Sequence, residues 1–280
     1  MGGLVDLYHE SYGAGPPILF LHGLGTSSHS WRHLIRPLSK NHKLILVDLK
    51  GFGKSPKPID SHYSIQDQAE LIYKFILRKN LSQLTLVGHS LGGGVALLTA
   101  IKLSERKPER LASLILISSA SYQQDLPLFV NILRKPLLGR LAFCLLSNKK
   151  KVRMILKTAY YDDKKVSKEE VQAYAAPLNS AGGENALIET AKKIIPSNID
   201  EVTAEYGKIQ FPALILWGRQ DKIIPLKVGE KLHQALPNSQ LVIIDRCGHI
   251  PHEEKPHEAI SIICKFLTDE HYGGGADSSH

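Results

Sequence analysis

The sequence predicts an α/β chain: a mostly parallel central sheet flanked by helices, with a helical cap inserted late in the chain. Three observations carry this expectation. Six short apolar runs are continuous rather than alternating, as strands covered on both faces are. Segments with helical spacing separate them, and such alternation is the signature of an open sheet built from strand–helix–strand units. Between about Ser121 and Gly207 the alternation stops, and it resumes at "FPALILWG". A chain of 280 residues, 43% hydrophobic and 22% charged, has the size and composition for one large core domain carrying an insertion.

In chain order, "VDLYHESYG" (5–13) alternates and is expected to form an antiparallel edge strand. Buried strands follow at "PILFLHG" (17–23), "KLILVDL" (43–49), "LTLVGHS" (84–90), "LASLILISS" (111–119), "ALILWG" (213–218) and "QLVIID" (240–245). In "SIQDQAELIYKFILRKN" (64–80), Ile65, Ala69, Ile72, Phe75 and Ile76 recur at helical spacing, and Ser64 with Asp67 forms a capping signal. The small-residue stretch "LGGGVALLTAIKLSE" reads as the helix after the third buried run. Residues 121–207 hold only helical patterns, such as "DLPLFVNILRKPLLGRLAFCLL" and "SKEEVQAYAAPLNS". The expected organisation is therefore a core of 1–120 and 208–270, a cap or lid of 121–207, and a glycine- and serine-rich tail, 271–280, without fixed structure.

The joint between strand and helix at Gly88-His89-Ser90-Leu91-Gly92 is the most informative stretch. GxSxG arises by chance in about one chain in ten of this length, so its placement carries the argument. A strand that reverses sharply into a helix strains its central residue and lifts that side chain clear of the sheet edge. Glycines two before and two after remove the side chains that collide in such a turn. Ser90 is thus a candidate nucleophile, standing at a helix N-terminus where developing negative charge is favoured.

Serine needs a base to take its proton and a carboxylate to orient that base. Asp221 in "LILWGRQDKIIP" and His249 in "LVIIDRCGHIPHEEKP" each lie just past a buried strand, at the same sheet edge as Ser90. Asp245, at the strand end itself, is a competing carboxylate. The oxyanion of acyl transfer needs two backbone donors. The Leu91 N–H is one candidate, and the Leu24 N–H of the loop "HGLG" (22–25) is the other. His22 is expected to pin that loop. His249, His252 and His257 match no standard metal set, and no metal or organic cofactor is expected.

In these motifs the sequence resembles the α/β-hydrolase fold family, in its serine-nucleophile branch with a helical cap. "LFLHGLG", "VDLKGFGKS", "LVGHSLGG", "LILWGRQDKIIP" and "CGHIPHEEKP" match in order over nearly the whole chain. The N-terminus departs from the pattern, being short by one early edge strand. The resemblance implies a Ser90, Asp221, His249 triad with Leu24 and Leu91 as oxyanion donors. It also separates the family's chemistries. Haloalkane dehalogenases and epoxide hydrolases carry Asp at the elbow. Carbon–carbon hydrolases of ring-cleavage products share the triad but usually place tryptophan after the histidine, where this chain has Ile250. The expected activity is that of a carboxylesterase acting through an acyl-enzyme. Carbon–carbon hydrolysis, or a ligand receptor of the same fold that does not turn over, is the alternative.

The remaining features bound partners and compartment. Three cysteines, Cys144, Cys247 and Cys264, without CxxC spacing suit reduced thiols in a cytoplasmic protein. No apolar stretch approaches the roughly 20 residues of a membrane-spanning helix, and no signal-peptide pattern opens the sequence. The net charge is +8, and one stretch is basic throughout. Between Asp125 and Asp162 there is no acidic residue, yet Arg134, Lys135, Arg140, Lys149, Lys150, Lys151, Arg153 and Lys157 all fall there. Leu133, Leu137, Leu138, Leu141, Phe143 and Leu145 interleave with them. Such a stretch makes either the solvated faces of cap helices or a docking surface for an anionic partner. Low aromatic content and the absence of a binding motif argue against nucleic acid.

Overall fold

The computed structural model describes residues 5–135 and 146–273. Seven strands form one sheet in the order β1-β3-β2-β4-β5-β6-β7. They are β1 (His9–Tyr12), β2 (Pro17–Leu21), β3 (Lys43–Val47), β4 (Leu84–His89), β5 (Leu111–Ile117), β6 (Ala213–Gly218) and β7 (Ser239–Ile244). Only β1 runs antiparallel, pairing with β3 at the edge; every other pair is parallel. The alternating first segment and the six continuous apolar runs thus become the edge strand and the parallel strands, respectively.

Burial on both faces explains the continuous apolar runs. Alternate residues of β2 enter opposite cores: Leu19 and Leu21 face one, Ile18 and Phe20 the other. The first core is closed by α2 (Ile65–Arg78) and α3 (Leu91–Arg106) together with α9 (Leu226–Ala235). The second is closed by α1 (Arg32–Leu38) and the terminal α11 (Pro256–Gly273). The five periodic positions read in α2 are all buried, and Ser64 and Asp67 close a reciprocal capping box at its start. Such a cap contributes about 1 kcal/mol.

Between β5 and β6 the described residues contain helices and turns but no strand. The helices are α4 (Leu128–Arg134), α5 (Asn148–Ala159), α6 (Lys168–Ala175), α7 (Gly183–Lys192) and α8 (Ile199–Ala204). A separate small apolar cluster ties α5 and α6 together through Val152, Leu156, Val171 and Tyr174 and reaches Ile250 of the core. Arg140, Leu137, Leu138, Leu141, Phe143, Cys144 and Leu145 lie outside the described residues. So does the expected tail from residue 274 on, while α11 continues through residues 271–273 as far as Gly273. Among the described residues no helix is long and apolar enough to cross a membrane.

Candidate active site

The turn from β4 into α3 forces Ser90 to φ +52° and ψ −117°, a conformation that side-chain-bearing residues rarely adopt. Two glycines make the turn possible. A Cβ on Gly88 meets the Gly92 carbonyl, and one on Gly92 meets the carbonyls of Leu21 and His22. The helix is therefore packed backbone-to-backbone against the end of β2, and Ser90 projects from the carboxyl edge of the sheet.

Two other loops at that edge complete a chain of hydrogen bonds. His249, in the loop after β7, places Nε2 2.9 Å from Ser90 Oγ. Its Nδ1 lies 2.8 Å from Oδ2 of Asp221, in the turn after β6. The second Asp221 oxygen, Oδ1, accepts from the N–H groups of Ile223 (2.8 Å) and Ile224 (2.9 Å). A carboxylate can only accept from the imidazole, so Nδ1 carries the ring proton and Nε2 is left bare toward the hydroxyl. Both side chains are buried, which strengthens these contacts against competition from water. Asp245, the competing carboxylate, instead pairs with Arg219 on the surface, with 70% of its side chain exposed.

The loop carrying Leu24 lies directly over the serine. A Cβ on Gly23 comes 3.3 Å from Ser90 Cβ, which puts the loop in contact with the elbow. His22 holds it there. Its Nδ1–H donates to the Gly23 carbonyl at 2.8 Å, and its Nε2 accepts from the Leu49 N–H at 3.0 Å. Among the described residues neither the Leu24 nor the Leu91 N–H is taken up by another backbone or side-chain acceptor. Burial pushes His22 below its ordinary value, so it serves as a neutral brace.

Several residues that sequence reasoning left without a role support His249. His89 Nε2–H donates to the His249 carbonyl at 2.9 Å. Burial first, and then repulsion from His252 and His249, holds His89 well below the ordinary histidine range. The His249 N–H donates to the carbonyl of Ala159, at the end of α5, at 2.6 Å. Glu253 is wholly buried and accepts from Arg32 at 2.5 Å and from the Tyr174 hydroxyl. Arg32 also reaches Glu170 of α6 at 2.8 Å. Glu254 accepts from the backbone around both His249 and α5. These contacts join segments far apart in sequence, and only the adjacent acids in "HEEKP" hinted at them. Among the described residues no group of three or more His, Cys, Asp or Glu is placed to hold a metal ion. His252 instead stacks on Trp31 at 4.4 Å.

Ser90 and His249 open into a cavity of about 1170 Å³, counting its mouth. Val130 and Leu133 of α4, Val152 and Leu156 of α5, and Ile223 and Ile250 form much of its wall. Polar side chains in the lining are few: Thr26, Tyr122, Gln124 and Tyr174 besides His89, Ser90 and His249. Among the described lining residues there is no Lys, Arg, Asp or Glu. That is the character of a site for a neutral, largely apolar molecule.

Known proteins resemble the chain over most of its length. The chain is 27% identical over 267 residues to "Uncharacterized hydrolase YugF" of Bacillus subtilis, covering 94% of each chain. It is 26% identical to the 2-hydroxy-6-oxo-2,4-heptadienoate hydrolase of Pseudomonas putida, over 96% of this chain and 95% of that one. A solved thermophilic esterase from Thermogutta terrifontis superposes with a TM-score of 0.77 at 23% identity, covering 95% of this chain and 94% of the other. The family profile described as the alpha/beta hydrolase fold matches residues 16–256, from the start of β2 to the beginning of α11. With that match and the sheet order above, the chain belongs to the alpha/beta hydrolase fold family.

Proposed function

We propose that this protein hydrolyses carboxylic esters of neutral, apolar acids or alcohols by two-step acyl transfer. The observation that carries the reading is a serine–imidazole–carboxylate relay whose serine and imidazole line a cavity with no Lys, Arg, Asp or Glu in its described wall. Ser90 attacks the ester carbonyl as His249 Nε2 takes its proton, and Asp221 holds the imidazole in the required tautomer and stabilises the imidazolium. The Leu24 and Leu91 N–H groups receive the oxyanion, each contributing about 3 kcal/mol to lowering the barrier. His249 then protonates the leaving alcohol, and a water deprotonated by the same ring releases the acid. The chemistry needs no metal or cofactor.

Carbon–carbon hydrolysis is the second reading, because one relative is a hydrolase of a heptadienoate. That substrate carries a carboxylate. Burying one beside an uncharged wall costs several kcal/mol unless a cation or several donors meet it, and the described lining offers no cation. The ester reading is therefore preferred. A small-molecule partner is implied in either case. The exposed cations Arg134 and Lys135 at the end of α4 and Lys149, Lys150 and Arg153 on α5 support an anionic surface or partner near the cap.

A panel of p-nitrophenyl esters of graded chain length, with a ring-cleavage dienoate included, tests the reading. Burst and steady turnover of neutral esters, lost in Ser90→Ala, is the expected result. Preferential turnover of the dienoate assigns the second reading. Binding without turnover of any member assigns a receptor.

A further inference from the structure

The geometry points to Glu254 as a positioning residue: its carboxylate binds the histidine loop to the end of α5 and so holds His249 at proton-transfer distance from Ser90. Glu254 closes the short helix α10 (Pro251–Glu254), and the residue is 3% exposed. Oε2 accepts from the N–H of Gly248 at 2.7 Å and from that of Tyr161 at 3.1 Å. Oε1 accepts from the Asp162 N–H at 2.8 Å. The Glu254 carbonyl accepts from Lys165 Nζ at 2.9 Å. With the His249 N–H bonded to the Ala159 carbonyl, two consecutive residues of the histidine loop are fastened to the segment that ends α5.

The chemistry of the contact demands a carboxylate. Three N–H donors converge on one side chain, and only an ionised acid offers enough acceptors without presenting a donor of its own. Such a buried acid is tolerated because charge-assisted hydrogen bonds replace its water. The cap-side partners, Tyr161 and Asp162, lie two and three residues past the end of α5, whose Val152, Leu156 and Ala159 line the cavity. One carboxylate therefore sets both a wall of the pocket and the loop carrying the base. Gly248 is the residue immediately before His249, so a shift there passes straight to the imidazole. Misplacement of a reacting group by about 1 Å costs on the order of 100-fold in rate.

This inference rests on the esterase reading for its kinetic readout but not for its spectroscopic one. Glu254→Gln keeps the shape and turns one oxygen into an amide that aims N–H at N–H. In the folded variant, kcat on a p-nitrophenyl ester is expected to fall about 10- to 100-fold, with KM within about threefold of the parent. The rate at which a fluorophosphonate labels Ser90 should fall in parallel. The low-field proton signal of His249 Nδ1–H, assigned by its absence in His249→Asn, should broaden or vanish. Glu254→Asp, which keeps the charge on a shorter arm, should retain intermediate activity, and it is read on the same measures if the Gln variant does not fold. The proton signal needs no turnover, so a parent protein that cleaves no ester refutes the function while this test proceeds. Unchanged kcat, labelling and proton signal in a folded variant overturn the role of Glu254, as does a loss confined to KM.

Discussion

Replacing Asp221 by Asn keeps the size of the side chain and removes its charge, and the surrounding bonds dictate how the amide must sit. Oδ1 of Asp221 accepts from two backbone N–H groups, those of Ile223 and Ile224. Turning the new NH2 toward them unpairs two buried donors, at about 1–3 kcal/mol each. The amide oxygen therefore stays with the backbone, and the NH2 faces His249 Nδ1, where a proton acceptor now has to stand. The imidazole answers by moving its proton to Nε2, the atom 2.9 Å from Ser90 Oγ. A protonated Nε2 cannot take the serine proton. A tautomer error of this kind costs about 10⁴-fold in kcat, or about 5 kcal/mol in the barrier. Initial rates on a short-chain p-nitrophenyl ester at neutral pH measure it, with Asp245→Asn as the control. Among the described residues Asp245 pairs only with Arg219, at the surface, so its variant should stay within about twofold of the parent. Asp221→Asn within tenfold of the parent, or a comparable loss in Asp245→Asn, refutes the assignment.

Arg32→Met strips the buried Glu253 of its cationic partner and should destabilise the fold by about 3–5 kcal/mol at neutral pH. Burial already raises the folded Glu253 above its ordinary 4.5, against the pull of Arg32 and Tyr174, and losing Arg32 raises it further. A raised acid makes the folded state bind more protons, so stability falls as pH rises from 4.5 through the folded value. The deficit of Arg32→Met by urea unfolding should thus be smallest below pH 4.5, and a deficit independent of pH contradicts the account. Gly92→Ala drives a methyl into the Leu21 and His22 carbonyls and should cost about 1–3 kcal/mol together with most of the activity. A thermal midpoint equal to the parent's would show that the elbow is not that tight. Leu24→Ala preserves the backbone N–H and should alter kcat by less than about threefold while raising KM for long acyl chains, because Leu24 lines the cavity. A hundredfold loss of kcat would assign the work to the side chain.

Most of the frame was legible along the chain because its causes are local. Continuous apolar runs mark strands covered on both faces, and the capping pair Ser64 and Asp67 marks the start of α2. The Gly88 and Gly92 pair flanks a residue whose positive φ the structure shows at Ser90. Asp221 and His249 could be found from their places just past strands of one parallel sheet, since such strands all end at the same edge. On sequence alone, Asp221 is favoured over Asp245 because it lies past its strand's end while Asp245 sits at the strand terminus itself. In the structure, the choice follows from which carboxylate reaches Nδ1.

What the sequence by itself determined is therefore the sheet, the elbow and the identity of the three side chains along one edge. Their distances, the tautomer of His249, the absence of Lys, Arg, Asp and Glu from the described cavity wall and the Glu253 and Glu254 tethers came only from the folded chain. The physical reason is range. Backbone propensity and periodicity act over a few residues and leave a trace in order and spacing. A contact such as Glu254 with Tyr161 spans 93 positions, and Arg32 with Glu253 spans 221. Such pairs share no local pattern, and they exist only because segments distant in sequence are packed together in the fold.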